Sequence, residues 1–317
     1  MNGKQWLTLL FLVMALSGCD QGLNSMDVKA EKISHEELGA FIVKVKGDLV
    51  FVEGGEFLMG DYGAEYGPEK MPYDLDKDSK PVHKVELSDF SIGRFKITNR
   101  EYQFYLSRNG LKLREDVMGS SFKIVSSTQN IPAYMDWYEA EQYCTWLGRV
   151  TELPIYLPTE AQWEYAARSR GQFLMVATDD GSYKATNVSF TEHDGPRGIN
   201  ISNSVDREIF AKKMGWKTGS LTPLPVDRFP PNPLGLYAMS DNGLEWVKDW
   251  YDPDYYKHSP VVDPQGPDSP VFKDYFGRYV KVVRGQSFAD PKWGGESTYS
   301  EPLLSHMGIQ KKMSRYF

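Results

Sequence analysis

The chain has 317 residues, of which 36 are Lys or Arg and 43 are Asp or Glu, so its formal net charge is -7 at pH 7. That balance excludes a basic face for nucleic acid and a polybasic patch for anionic lipid. Aromatic residues make up 14% of the sequence, which also holds 28 Gly, 19 Pro and 2 Cys. This composition predicts a globular domain with much of its chain in ordered loops.

The N-terminus predicts an exported leader. Its apolar run over residues 7–16 is too short to span a bilayer, which takes about 20 residues. The run ends in Leu16-Ser17-Gly18-Cys19, which resembles the lipobox of bacterial lipoproteins. We therefore expect a signal peptide over residues 1–18, a lipid on Cys19 and a periplasmic location at the membrane surface. Asp20 resembles the inner-membrane retention signal of enteric lipoproteins. The alternative is an ordinary signal peptide with an incidental cysteine.

The next segment predicts a tether followed by a single domain. Residues 19–46 are polar and predict a lipid-anchored tether that ends in a short helix around residues 34–43, with Ser34 as its cap. Residues 47–317 predict the domain. It opens with strands at 49–52 and 56–60, which a Gly-Gly turn would pair with each other.

The middle of the chain predicts a loop, a strand and three helices. The charged segment 61–80 predicts a surface loop, and residues 82–92 alternate as one strand. The three helices that follow have N-cap residues at Thr98, Asp136 and Thr159. After residue 171 few regular patterns occur until residue 223, and short strand-like pieces then continue to residue 283.

Five blocks of sequence, in this order, resemble the formylglycine-generating enzyme (sulfatase-modifying factor) family. They are FVEGGEFLMG at 51–60, TNREY at 98–102, LPTEAQWEYAAR at 157–168, NPLGLY at 232–237 with NGLEW at 242–246, and RGQSF at 284–288. The resemblance covers most of the chain from Leu49 onward. It implies an α/β (α+β) domain, a formylglycine-generating-enzyme-like variant of the C-type lectin fold with little regular secondary structure.

The same resemblance implies two copper-binding catalytic cysteines shortly after the block at 284–288. Soft thiolates suit Cu(I), at which oxygen is activated to oxidise a substrate cysteine. Asp290 and Gly295 stand at those two positions, and no cysteine follows Cys144. We therefore expect no catalytic residue of the formylglycine reaction, and we do not expect copper as a cofactor.

Calcium is the other metal that the resemblance implies, because cations held by oxygen ligands brace the family's loops. The residual ligands would be Asn200, Ile201, Gly243 and Glu245. Two further ligand positions are changed, to Thr218 and Ala238. One prediction is residual calcium binding around Glu245. The other is that Glu245 hydrogen-bonds to loop backbone without a metal.

Acidic and aromatic side chains cluster after residue 245. A strip of this kind can line a groove for a sugar or a peptide. The candidate lining residues are Trp246, Asp249, Trp250 and Tyr255. The alternative is a tyrosine-rich structural loop.

Three functional hypotheses follow. The one we favour is a membrane-anchored periplasmic lipoprotein whose degenerate domain is a non-catalytic protein-binding or scaffold module, with a protein partner in secretion or toxin immunity. The second is a metal-dependent oxidoreductase with non-cysteine ligands such as Asp290 with His306 or Tyr299. A related branch, which includes a periplasmic enzyme of pyoverdine maturation, lacks both metal sites and keeps an enzymatic function open. The third hypothesis is a carbohydrate-binding module.

Overall fold

The computed structural model describes residues 35–74, 77–114, 125–185, 200–286 and 300–304. Several predicted features lie outside these residues: the leader, the cap at Ser34, the lipidation site Cys19, and the positions Asp290 and Gly295. The predicted tether helix is present as α1 (His35–Gly47), which buries Phe41 and Val45. Helix α1 extends four residues beyond its predicted end at residue 43.

The first two strands are present, but they do not pair with each other. Strand β1 (Leu49–Val52) pairs antiparallel with β4 (Phe90–Gly93), and β2 (Gly55–Met59) pairs antiparallel with β3 (His83–Leu87). The predicted strand pair is therefore wrong, and the single strand predicted over residues 82–92 is two strands.

The Gly-Gly segment explains this outcome. A Cβ at Gly54 would lie 2.1 Å from the carbonyl oxygen of Leu87, so the chain passes against the end of β3 there. The Gly54 amide donates to the Asp89 carboxylate at 2.7 Å. The segment is thus a close crossing between two sheets rather than a hairpin turn.

The segment 61–80 is not a surface loop throughout, so that prediction is wrong for several of its residues. It contains the short helix α2 (Gly63–Tyr66). The buried Asp61 carboxylate accepts from the backbone amides of Gly63, Tyr73 and Asp74 at 2.9, 3.1 and 3.1 Å. A carboxylate that satisfies three amides of its own loop is buried together with them.

The three predicted helices and their caps are confirmed. They are α3 (Asn99–Arg108), α4 (Trp137–Thr151) and α5 (Glu160–Ala167). In each, the predicted N-cap side chain accepts from the amide three residues on, and that residue's side chain accepts from the cap amide in return. Such a cap contributes about 1 kcal/mol and depends on neighbours in sequence.

A longer helix was also not predicted. Helix α6 (Ser204–Met214) starts at Asn203, whose side chain accepts from the amides of Val205 and Asp206, and ends at Gly215 with φ +71°. Asn203 and Asp206 form a capping box in place of the more familiar Ser/Thr and Glu. Among the helices of the described residues, none is long and apolar enough to cross a membrane.

The C-terminal half contains an antiparallel sheet in the order β5 (Glu245–Trp250), β6 (Val280–Arg284) and β7 (Ser300–Leu304). Helix α5 packs on β5 and β6. Trp163 of α5 is fully buried in a core cluster with Val247 and Val282. The sheet therefore holds α5 through its apolar face.

Candidate functional site

A cleft of about 1240 Å³ runs along strand β4. Every residue from Ser88 to Ile97 lines it, so the cleft meets residues that point to both faces of the strand. Among the four residues of β1, Leu49 lines it and the next three do not. A space that meets both faces of one strand, and little of its partner, lies along the strand's outer edge. Within the described residues, β4 pairs with β1 alone, so this edge offers backbone groups to the cleft.

Helix α4 supplies another part of the lining. Its capping box at Asp136 starts the helix so that Ala140, Tyr143, Cys144 and Leu147 recur at helical spacing toward the cleft. Burial raises the pKa of the Cys144 thiol to about 12, with Glu141 adding to the effect. The thiol is therefore neutral at physiological pH and is a poor nucleophile and a poor metal ligand.

An ion pair also lines the cleft. The Nζ atom of Lys96 lies 2.7 Å from Oε1 of Glu245. The Lys96 side chain is almost completely buried, while that of Glu245 is partly exposed. Since Lys96 follows β4 and Glu245 begins β5, the pair joins two sheets. A buried ammonium needs such a partner, which makes Glu245 its counter-ion.

This pairing bears on the predicted calcium residues. A calcium ion bound to the Glu245 carboxylate would lie beside the Lys96 ammonium, at a distance where like charges repel strongly. The residues present around Glu245 therefore do not fit calcium, and its carboxylate has a protein cation instead.

The other predicted calcium residues lie in a separate polar turn. Oδ1 of Asn200 accepts from the Lys184 amide at 2.8 Å, and Nδ2 donates to Asp179 at 2.8 Å. Ile201 is buried in a small apolar cluster with Val176. The Asn200 oxygen is thus engaged by backbone.

A second protein cation braces the loop before Glu245. The guanidinium of Arg207, on the unpredicted helix α6, is fully buried and forms an ion pair with Asp241. It also donates to the Thr222 carbonyl at 2.8 Å. Lys96 and Arg207 therefore neutralise the carboxylates of the loop at 241–245. The capping box at Asn203 and the glycine at 215 were the sequence signals for the helix that carries Arg207.

The predicted groove residues do not form one exposed strip. Asp249 is buried, accepts from the Glu160 amide at 2.8 Å, and has its pKa raised to about 6 by burial. Tyr255 is also buried, which raises its pKa to about 12. The indole of Trp246 donates to the Met135 carbonyl at 2.9 Å.

The fourth groove residue, Trp250, is covered by a cation of the chain itself. The ammonium of Lys281 lies 3.7 Å from the ring centroid of Trp250 and 3.8 Å from that of Trp137, and it donates to the Lys248 carbonyl at 2.7 Å. Burial lowers the pKa of Lys281 to about 8, although the negative charge of Asp249 raises it. This face of Trp250 is therefore occupied.

A buried ion network surrounds Glu164 of α5, and the sequence alone did not reveal it. Glu164 accepts from Arg168 at 2.8 Å and from Arg284 at 2.9 Å, and all three side chains are fully buried. Arg284 also lies 3.3 Å from Glu160. Burial raises the pKa of Glu160 to about 8, although the positive charge of Arg284 lowers it. The i,i+4 spacing of Glu160, Glu164 and Arg168 was the available signal. The network joins α5 to β6 and has a structural role.

Within the described residues, no group of three or more His, Cys, Asp or Glu side chains is placed to hold a metal ion. The alternative metal ligands Asp290, His306 and Tyr299 lie outside the part of the chain that the structure describes. The hypothesis of an oxidoreductase that uses them stays a prediction.

A family model named sulfatase-modifying factor enzyme 1-like domain matches residues 36–312. Formylglycine-generating enzyme of Streptomyces coelicolor is 27% identical over 278 residues, covering 75% of this chain and 78% of that protein. Serine/threonine-protein kinase pkn1 of Chlamydia pneumoniae is 29% identical, but the match covers 32% of the kinase. Inactive C-alpha-formylglycine-generating enzyme 2 of Mus musculus is 24% identical and covers 82% of this chain and 80% of that protein.

The fold also has a counterpart among solved structures. The structure of PvdO from Pseudomonas aeruginosa superposes with a TM-score of 0.56 at 22% identity, covering 81% of this chain and 88% of that one. At this identity the similarity shows the fold alone. It confirms the predicted mixed helix and strand fold with little regular secondary structure, and the relation to the C-type lectin fold stays a prediction.

Proposed function

The chain belongs to the sulfatase-modifying factor enzyme 1-like domain family, and from that premise we propose that it is a membrane-anchored, non-catalytic module that binds a periplasmic protein. The observation that carries the proposal is the cleft along the outer edge of β4. The two cysteines of the sequence do not replace the family's copper ligands, because Cys144 is held as a neutral thiol and Cys19 lies in the lipobox. The inactive mouse relative is a precedent for this fold without the reaction.

The geometry of the cleft favours an extended peptide segment as the occupant. A strand edge binds a peptide by backbone hydrogen bonds, and neighbouring pockets take alternate side chains. Here Phe90 and Ile92 pack into the core, while Ser91 and Gly93 of the same strand are exposed. The Lys96–Glu245 ion pair adds charged groups to the lining of the cleft. We infer that a strand of the partner pairs with β4, and the partner's role in secretion or toxin immunity remains part of the proposal.

The lipid anchor is the second part of the proposal. It is supported by the lipobox that ends at Cys19 and by the 15 residues between Cys19 and α1, which are long enough to act as a tether. A Cys19→Ala variant should leave the membrane fraction and lose incorporation of labelled fatty acid. Membrane retention of that variant would contradict the anchor and would leave the cleft proposal standing.

Photo-crosslinking in intact cells tests the partner proposal. A benzophenone amino acid replaces Tyr156, which lines the cleft and is 58% exposed, or Ile209, which is 60% exposed on α6 and does not line the cleft. We expect one saturable protein adduct at position 156 and none at position 209. Equal adducts at both positions, or none at position 156, would refute a binding cleft.

Near-stoichiometric copper or iron in the purified protein, lost on Asp290→Ala, would favour the oxidoreductase hypothesis instead.

A further inference from the structure

A hairpin over residues 271–279, which we call the tip hairpin, carries two largely exposed aromatic rings at its turn. Its arms meet at an antiparallel bridge between Lys273 and Tyr279. At the turn, Oδ1 of Asp274 accepts from the amides of Phe276 and Arg278, both at 2.9 Å. Oδ2 of Asp274 accepts from Nη2 of Arg278 at 2.8 Å. Gly277 has φ +76°, which this turn requires. The turn is therefore held in one conformation by several hydrogen bonds.

The base of the tip hairpin is rooted in the protein. Phe272 packs edge-on against Tyr251 of the core, with ring centroids 5.0 Å apart. The ring of Tyr279 lies 6.4 Å from that of Trp250. Phe272 is thus used for packing, whereas the aromatic residues of the turn are not.

Tyr275 is 96% exposed and Phe276 is 65% exposed, and their rings contact each other with centroids 5.4 Å apart. Basic groups flank them: the Arg278 guanidinium lies 4.5 Å from the ring centroid of Phe276, and the Lys273 ammonium lies 4.7 Å from that of Tyr279. Aromatic rings flanked by Lys and Arg are typical of chain segments at the boundary between lipid and water.

We propose that the tip hairpin inserts Tyr275 and Phe276 into the headgroup region of the bilayer to which the chain is anchored. This inference rests on the lipid anchor of the proposed function. The 15-residue tether keeps the domain within about 50 Å of the membrane. The Lys273 ammonium and the Arg278 guanidinium, which also pairs with Asp274, lie near the rings and would meet the lipid phosphates. Unlike a polybasic patch, this contact depends mainly on the two rings.

A bilayer suits this feature better than a protein surface. A protein interface of ordinary size buries about 800 Å² on each partner, more than two rings on a narrow turn supply. A bilayer needs no complementary shape, because each ring that enters it loses contact with water independently.

Depth-dependent quenching tests the proposal on the full-length lipidated chain in phosphatidylethanolamine and phosphatidylglycerol vesicles. A bimane label is attached to Phe276→Cys or, as the control, to Ile209→Cys, whose native side chain is 60% exposed. Both labelled variants carry Cys144→Ser, because Cys144 is only partly buried and lines the cleft. We expect lipids brominated near the headgroup to quench the label at position 276 several-fold more than at position 209. Adding Tyr275→Ser should reduce the quenching at position 276.

The outcomes separate this inference from the anchor. Equal, weak quenching at both positions in protein that sediments with the vesicles would overturn the tip contact and leave the anchor intact. If the protein neither sediments nor shows quenching, both proposals fail. Strong quenching at position 276 in a Cys19→Ser chain would support the tip and refute the need for the lipid.

Discussion

The substitution Glu164→Gln tests the buried ion network most directly. Glu164 holds Arg168 at 2.8 Å and Arg284 at 2.9 Å, and it also accepts from the Gly60 amide at 2.9 Å. Glutamine keeps the shape but removes the charge, which leaves two buried guanidinium groups that cannot lose their protons. Glu160 and Asp74 remain to act on Arg284, and burial opposes the ionisation of Glu160.

Breaking a buried ion pair in this way costs about 3–5 kcal/mol, which is a large part of the 5–15 kcal/mol that typically stabilises a protein. With a urea m-value of about 3 kcal/mol/M, the midpoint should fall by about 1–2 M. Urea unfolding followed by tryptophan fluorescence measures this shift. As the matched control, Glu53→Gln removes an exposed carboxylate that pairs with Arg170 at 2.8 Å, and it should change stability by less than about 0.5 kcal/mol.

A double-mutant cycle completes the test. Arg168→Met removes one of the two cations, so Glu164→Gln combined with Arg168→Met leaves a single buried guanidinium, Arg284, with Glu160 and Asp74 as its remaining acidic neighbours. The combined loss should be smaller than the sum of the two single losses by about 1 kcal/mol or more. A loss below about 1 kcal/mol for Glu164→Gln, or strict additivity in the cycle, would refute the reasoning that these charges act as one buried unit.

Three further predictions concern the cations that the sequence did not reveal. Since Lys96 and Arg207 neutralise the loop at 241–245, the melting temperature should be the same in calcium and in EDTA; a rise in calcium would show that a metal site exists. Arg207→Met leaves Asp241 buried without its cation and should cost about 3 kcal/mol in urea unfolding, whereas Lys257→Met, in an exposed pair, should have little effect. The pKa of Lys281 is lowered to about 8 by burial, so between pH 8 and about 10 the unfolded chain binds more protons, and stability should rise with pH relative to Lys281→Met; a constant difference would contradict this.

The sequence by itself determined the features that depend on near neighbours in the chain. The capping boxes at Thr98, Asp136 and Thr159 form between residues three apart, so their helices were predictable from local pattern. The five family blocks fixed the fold for the same reason, since their order and spacing are properties of the chain. That no cysteine lies between Cys144 and Phe317 is likewise a fact of sequence.

Tertiary structure alone decided which groups meet. The hydrophobic pattern identified β1 and β2 as strands, but their partners β4 and β3 depend on the close approach of Gly54 to Leu87. The strip of acidic and aromatic residues looked like a groove because sequence does not reveal burial. Folding instead buries Asp249 and places the Lys281 ammonium on Trp250. Lys96 and Glu245 are 149 residues apart, so no local sequence pattern predicts their ion pair. Contacts of this range form because packing of the core brings distant segments together. Charged side chains that become buried in this way must pair with each other, because an unpaired buried charge costs free energy.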